Sequence, residues 1–314
     1  MRILFMGTPD FALFSLRALV EAGETIVGVI TQPDKPKGRG YTLTPPPVKV
    51  YAEEQGIPVL QPNTLRGEEF AATLASLDPE LIAVVAYGKI LPTNVLDYPK
   101  HGCINVHGSI LPEYRGAAPM QRAIIDGKRE TGITTQMMAD GIDTGDILMI
   151  EKIEIAANDN FETVHDKLGA LGASVLLRTI DAVRGGTLTR TKQDDSLASY
   201  ASKIEKEDCV IDFAKPASAV HDQIRGLSPI PLAFTHTPDG KMLKIVASEI
   251  ADIEASACPG TVLSLANGKI TVACGTGAVS FLSVLPEGKK RMNAADFING
   301  RKISVGDLLA SDAN

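Results

Sequence analysis

RILFMGTPDFALFSLRALVEAG, residues 2–23, contains the signals from which the fold follows. Arg2 to Met6 is a short apolar run of the kind shown by a strand buried on both faces. Gly7 breaks the run, and Thr8 and Pro9 then offer an N-cap and a first-turn proline for an amphipathic helix ending near Gly23. Ile26 to Thr31 is the next strand. Further strand-like segments follow at Val59-Leu60, Leu81 to Ala86 and Ile104 to Val106, and helical stretches at Val48 to Gln55 and Glu68 to Leu77 lie between them. This order predicts an α/β fold, a Rossmann-like, doubly wound, mostly parallel sheet. The first turn is Gly7-Thr8-Pro9-Asp10 and not GxGxxG, so the dinucleotide-binding fingerprint is absent.

Gly132 to Met138 and Ile147 to Ile155 read as two more strands, a hairpin around the loop that holds Asp143. Asp159, with Glu162 three residues on, predicts a capping box. Phe161, Val164, Leu168, Leu171, Val175, Ile180 and Val183 keep an apolar stripe at helical spacing until Gly185-Gly186 ends it, with His165 expected on the solvated side. Thr187 to Ser202 is polar and without apolar period, which places a linker at about residues 189–207 between a first domain, 1–188, and a second, 208–314. Beyond residue 208 short β-rich segments recur at Leu232 to Thr235, Leu243 to Ser248, Gly260 to Leu265, Lys269 to Ala273 and Ala278 to Val284, for which a small barrel is the natural closure.

The bulk numbers narrow the class. The chain has 314 residues, 44% hydrophobic and 22% charged, enough for two cores. No apolar run approaches the ~18 residues that span a bilayer, and MRILFMGTPD does not read as a signal peptide. Cys103, Cys209, Cys258 and Cys274 form no CxxC pair, so neither zinc nor a disulfide framework is expected, and a reducing cytoplasm fits. A net charge of −7 argues against a general nucleic-acid binder, whose surface is usually basic. Residues 206–314, with 11 cationic and 12 anionic side chains, are close to neutral, so any contact with a polyanion must be local.

NVHGSILPEYRGAAPMQ, residues 105–121, carries the chemistry. On a short strand Asn105 and His107 project to one face at its carboxyl end, where open α/β sheets place their ligand crevices. An amide is a fixed donor for a developing oxyanion, and an imidazole exchanges protons near neutral pH, so the pair suits acyl transfer. Either residue alone at a strand end is more often a hydrogen-bonded structural group than a catalyst. The Arg115-Gly116-Ala117-Ala118-Pro119 loop, small and rigid, leaves backbone amides free for a ligand. Asp143 in GIDTGDIL is the candidate third member, with Asp140 and Asp146 nearby alternatives. Cys103, next to the site, reads as a small buried hydrophobe.

On these residues the whole chain resembles the methionyl-tRNA formyltransferases, and its first part resembles the wider 10-formyltetrahydrofolate-dependent formyltransferases. The resemblance implies that Asn105, His107 and Asp143 are the catalytic trio. It further implies that Ser109-Ile110-Leu111-Pro112 helps to bind the folate and that Gly88, Ile90 and Leu91, in the Tyr87 to Pro92 segment, pack on the pterin. It makes the second domain OB-like, through IRGLSPIPLAFT at 224–235, PGTVL at 259–263 and the closing GKKRMNAADFINGRKISVGDLL. The family usually has a tryptophan in the first of these; this chain has none, and Ile230 or Phe234 fills the space.

TQPDKPKGRG, residues 31–40, followed by a proline-rich turn at 44–49, places Lys35, Lys37 and Arg39 on a long connection that glycine and proline keep from being a regular helix. A basic loop is usually plain solvated surface, but a flexible one beside a cleft can grip phosphates. The resemblance implies that this insertion enters the acceptor-stem region of initiator Met-tRNA, with Arg39 the residue most depended on; Lys289, Lys290 and Arg291 are further candidates for phosphate contact. The expected reaction moves the formyl group of 10-formyltetrahydrofolate, a co-substrate, onto the methionine α-amine, with no metal, no membrane and a monomeric enzyme. A sugar-amine formyltransferase or a 10-formyltetrahydrofolate hydrolase is the alternative.

Overall fold

The computed structural model describes residues 1–37, 42–254 and 256–310, without the side chain of Lys37. Its strands are, in chain order, β1 (Arg2–Gly7), β2 (Thr25–Ile30), β3 (Lys35–Lys37), β4 (Thr42–Thr44), β5 (Val59–Leu60), β6 (Leu81–Val85), β7 (Cys103–His107), β8 (Arg115–Gly116), β9 (Glu130–Met137), β10 (Ile147–Glu154) and β11 (Tyr200–Ala201). Helices α1 (Asp10–Glu21), α2 (Pro47–Glu54), α3 (Glu68–Leu77), α4 (Thr93–Leu96), α5 (Pro119–Ile125) and α6 (Phe161–Arg184) alternate with them. Two compact units result. One comprises residues 1–116, 131–153 and 165–201, and the other residues 117–130, 154–164 and 202–314.

The first unit is an α/β layer built on a seven-stranded sheet of order β10-β9-β7-β6-β1-β2-β5. Pairings from β7 through β5 are parallel and β7 meets β9 antiparallel, so the doubly wound sheet carries one antiparallel flank. Ile3, Leu4, Phe5 and Met6 are all fully buried, as a strand covered on both faces requires. Leu4 and Met6 join Phe70, Leu74, Ile82, Val84 and Cys103 in one apolar cluster, and burial pushes the Cys103 thiol up to about 12. On α6, the Gly172 position lies against Val106 and Ile133, where a Cβ would stand 3.1 Å from Val106.

Thr8 does not cap α1. Pro9 occupies the N-cap without a side-chain bond; the Thr8 hydroxyl instead donates to the Tyr87 carbonyl (3.3 Å) and accepts from Gln32 N (3.2 Å), tying the ends of β1, β2 and β6 together. The capping box lies one residue later than expected. Asn160 accepts from Thr163 N at 2.9 Å and Thr163 Oγ1 accepts from Asn160 N at 3.0 Å, while Asp159 receives the Ala156 amide at 2.8 Å. His165 is not solvated: its side chain is 14% exposed, 5.5 Å from the Phe11 ring, and its Nδ1 lies 2.9 Å from Asp166. Asp10 and Asp166 hold its imidazole above the usual histidine value. The helical face that carries His165 packs on α1, where Gly169 also meets Phe14.

The second unit adds α7 (Ala217–Gly226), β12 (Ala233–His236), β13 (Met242–Ala251), β14 (Val262–Ser264), β15 (Ile270–Ala273), β16 (Ala278–Pro286), β17 (Met292–Asn293) and α8 (Ala294–Asn299). Its antiparallel sheet runs β12-β13-β16-β15-β14, with β17 beside β16, and register shifts within β13 help it to curl. Residues 306–310 bridge the two edges: Val262 N donates to Asp307 O and His236 N to Ala310 O. Phe213, Ile224, Ile245, Val279 and Phe281 fill the interior, and emptying the Phe281 site would cost about 3–5 kcal/mol. Of the two candidates for the missing tryptophan's space, Phe234 is in this core and Ile230 is 67% exposed. α5 belongs to this unit: Ile125 packs on the same core, and Arg122 bonds Asp208 and the Ser202 and Lys203 carbonyls.

Candidate active site

Asn105 and His107 leave β7 on one face, and the loop between β9 and β10 brings Asp143 to them. Asn105 Nδ2 donates to Asp143 Oδ1 at 3.3 Å, and Gln136 Nε2 donates to the same oxygen at 2.8 Å. Gly116 N donates to Oδ2 at 2.9 Å, and His107 Nδ1 stands 3.6 Å from that oxygen. The carboxylate is thus held by three donors, and one side of it is left facing the imidazole. The described residues offer no bond to the second amide hydrogen of Asn105 or to its oxygen, so both are available to a ligand.

The other imidazole nitrogen is fixed. His107 Nε2 lies 2.9 Å from the Tyr114 carbonyl, which can only accept, so Nε2 carries a hydrogen. Nδ1 is then the nitrogen that gains or loses a proton, and it is the one that faces Asp143. With Nε2 committed to the Tyr114 carbonyl, donation through Nδ1 to an oxygen in the crevice requires a proton on both ring nitrogens. With His107 6% exposed, these interactions act with little water around them.

The Asp143 loop needs special backbone. Asp143 has φ +54°, a left-handed conformation costing on the order of 1 kcal/mol. At Gly145 a Cβ would lie 1.7 Å from the Met137 carbonyl, so only glycine lets the loop approach β9 this closely. Gln193 Nε2 donates to the carbonyls of Asp143 (2.8 Å) and Gly145 (2.7 Å). Arg115, 2% exposed, donates to Gln193 Oε1 through Nε (3.1 Å) and Nη2 (2.8 Å).

Ser109 and Leu111 are buried, while Ile110 and Pro112 are half-buried. Ser109 Oγ donates to Glu113 O, and Thr134 Oγ1 joins Ser109 O to Leu111 N, so these side chains set the loop's shape. Gly88 has φ +82°, Leu91 is 2% exposed and Ile90 is 79% exposed, an apolar side chain presented outward after β6. Tyr87 fills the core, and burial raises its phenol to about 12.

The described residues of the basic connection pair as a hairpin, β3 with β4, which proline and glycine content did not announce. Lys35 is exposed on it; Arg39 lies outside the described residues, as does the Lys37 side chain. Lys49 Nζ holds both oxygens of Asp34 and Gln61 Oε1, each at 3.0 Å, at the foot of the hairpin. In the second unit Lys289, Lys290 and Arg291 are exposed in the turn after β16, with Arg291 Nε donating to Ser283 Oγ at 3.1 Å.

Sequence reading missed Gln136, the Tyr114 carbonyl and Gln193. A signal existed for Gln136 alone: it is a lone amide in the β-branched run GITTQM, and in the sheet it pairs directly with Asn105. No helix among the described residues is long and apolar enough to cross a membrane.

Residues 1–180 match the family described as formyl transferase, and residues 203–302 match the formyl transferase C-terminal domain. A methionyl-tRNA formyltransferase of Citrifermentans bemidjiense is 49% identical over 98% of this chain and 96% of its own length. One of Bacillus velezensis is 48% identical over 98% of this chain and 97% of its own. Among solved structures, the N-formyltransferase from Helicobacter canadensis, in complex with folinic acid and dTDP-3-aminofucose, has a TM-score of 0.67 at 20% identity, covering 89% of this chain and 98% of its own. At that identity the likeness speaks for the fold.

Proposed function

The chain belongs to the formyl transferase family, and on that premise we propose that it transfers the formyl group of 10-formyltetrahydrofolate to the α-amine of methionine on initiator tRNA, in the cytoplasm. Near-full-length identity of 48–49% to two methionyl-tRNA formyltransferases is the observation that carries this reading. The folate supplies an activated one-carbon unit on nitrogen. The residues present fit it: Asn105 has one amide N–H and its oxygen to spare, Ile90 offers an apolar surface, and Gly88 has open space where a Cβ would stand. Gly88, Ile90, Leu91 and the Ser109 to Pro112 turn would hold it.

Asn105 and His107 meet the negative charge that develops on the formyl oxygen as the amine attacks. One well-placed donor of this kind is worth ~3 kcal/mol, roughly a hundredfold in rate. Asp143 orients His107 and, through a water, takes the proton that the attacking amine loses and passes it to the leaving nitrogen. One carbon–nitrogen bond forms and one breaks, with no change of oxidation state. Lys35, Lys37 and Arg39 supply phosphate contacts to tRNA, with Lys289, Lys290 and Arg291 as a second set.

The deciding experiment incubates the purified protein with 10-formyltetrahydrofolate and charged initiator or elongator tRNA, and measures formylmethionine. Strong preference for the initiator form is expected. Formylation of a nucleotide-linked aminosugar instead, or release of free formate without an acceptor, would replace this reading.

A further inference from the structure

Asp143 is catalytic under the proposed function, yet no bond to its side chain holds the backbone that aims it. That backbone is left-handed at residue 143, and its carbonyl groups at 143 and 145 both point at one amide. We propose that Gln193 is a positioning residue for Asp143, and that Arg115 acts through it by fixing which way the Gln193 amide faces.

The geometry is self-consistent only one way round. Both Gln193 N–H groups are used, on Asp143 O at 2.8 Å and Gly145 O at 2.7 Å. Its oxygen receives two N–H groups of the Arg115 guanidinium, which has no acceptor capacity. Turning the amide over would set its oxygen against two carbonyls and its N–H groups against a cation. Gln193 is 6% exposed and Arg115 2%, so neither end has bulk water to substitute for a lost partner. Asp195, 2.7 Å from Arg115 Nη2 and largely exposed, balances the buried charge.

This amide also links the two loops that define the site. Arg115 precedes Gly116, whose N–H holds Asp143 Oδ2, and the segment around Gln193 continues to Ser199 and β11, which pair with Arg115 and β8. The backbone that supplies a donor to the carboxylate and the backbone that carries the carboxylate are therefore fixed against each other by Gln193. Displacement of a reacting group by about 1 Å can cost a hundredfold in rate.

The inference rests on the proposed formyl transfer, so its test has one arm that does not. Gln193→Ala and Gln193→Glu are made in the full chain. In Gln193→Ala kcat is expected to fall tenfold to a hundredfold, with KM for either substrate changed less than twofold. Gln193→Glu keeps a partner for Arg115 and so retains the fold, but it puts a carboxylate against two carbonyls, and kcat should fall at least as far. In the activity-independent arm, amide hydrogen exchange in residues 140–146 rises in both variants while β1 and β6 keep their protection. A Gln193→Glu protein with unchanged kcat, a loss expressed only in KM, or unchanged exchange in residues 140–146 would overturn the inference. Failure of the unaltered protein to transfer formyl to any Met-tRNA overturns the proposed function instead, and the exchange arm still decides the role of Gln193.

Discussion

Asp143 takes three hydrogen bonds in a nearly closed network, whereas Lys35, in the same α/β unit, stands exposed on a two-stranded hairpin with an ion pair at its foot. The difference follows from what each region has to meet. Charge that develops over a fraction of an ångström must find its donors already in place, because any reorganisation adds to the barrier. A phosphate backbone is large and hydrated, and it can be met by long cationic side chains that settle after docking.

The sharpest break of this contrast comes from the buried region. Asn105→Ala and His107→Ala should each lower kcat by about a hundredfold or more while tRNA binding, measured by filter retention, stays within twofold. If turnover survives both changes, the trio is not the reaction centre. Gln136→Leu removes the 2.8 Å bond to Asp143 without opening a cavity, and about a tenfold loss of kcat is expected. An unchanged kcat would mean that the carboxylate needs fewer donors than it has.

The exposed region should respond differently. Lys35→Ala should weaken tRNA binding a few-fold, leave the KM for folate alone, and make the plot of log K against log salt shallower by about one, the share of a single neutralised phosphate. A salt slope equal to that of the unaltered protein would place Lys35 off the RNA. The smallest effect is at the hairpin's foot. Gln61 first, and then Lys49, hold the Asp34 carboxyl below its ordinary value of 3.8. Because the folded value is depressed, the clip is complete above about 3.8 and is lost only as pH falls through the lower folded value. Gln61→Ala should raise the Asp34 midpoint, read by carboxyl carbon NMR, more than Lys49→Met does. The reverse order would make the ion pair the main support.

The contrast also explains what could be read from residues alone. Strands buried on both faces are apolar without a break, so β1 and β6 were legible, and Glu68–Leu77 was placed to the residue as α3. Asn105 and His107 were legible because period-two geometry puts them on one face. Gln193 was not: its partners are backbone carbonyls 48 and 50 residues away, and carbonyls leave no mark on sequence. The same blindness hid the Tyr114 carbonyl that decides which nitrogen of His107 exchanges its proton. His165 and Thr8 were misplaced for a related reason: short-range rules gave each a local role, and contacts with distant segments gave it another.

The second unit is assembled from three separate stretches, two of which, 117–130 and 154–164, interrupt the sequence of the first. No single cut can therefore divide this polypeptide into two self-sufficient halves. A fragment ending in the polar segment near residue 200 would retain α5 but lose the α7 backbone against which Ile125 lies, together with the Asp208 carboxylate that pairs with Arg122. Dissection into autonomous modules, routine for proteins strung end to end, would here leave an apolar helix stranded, and trimming the gene at that point should yield aggregate instead of enzyme.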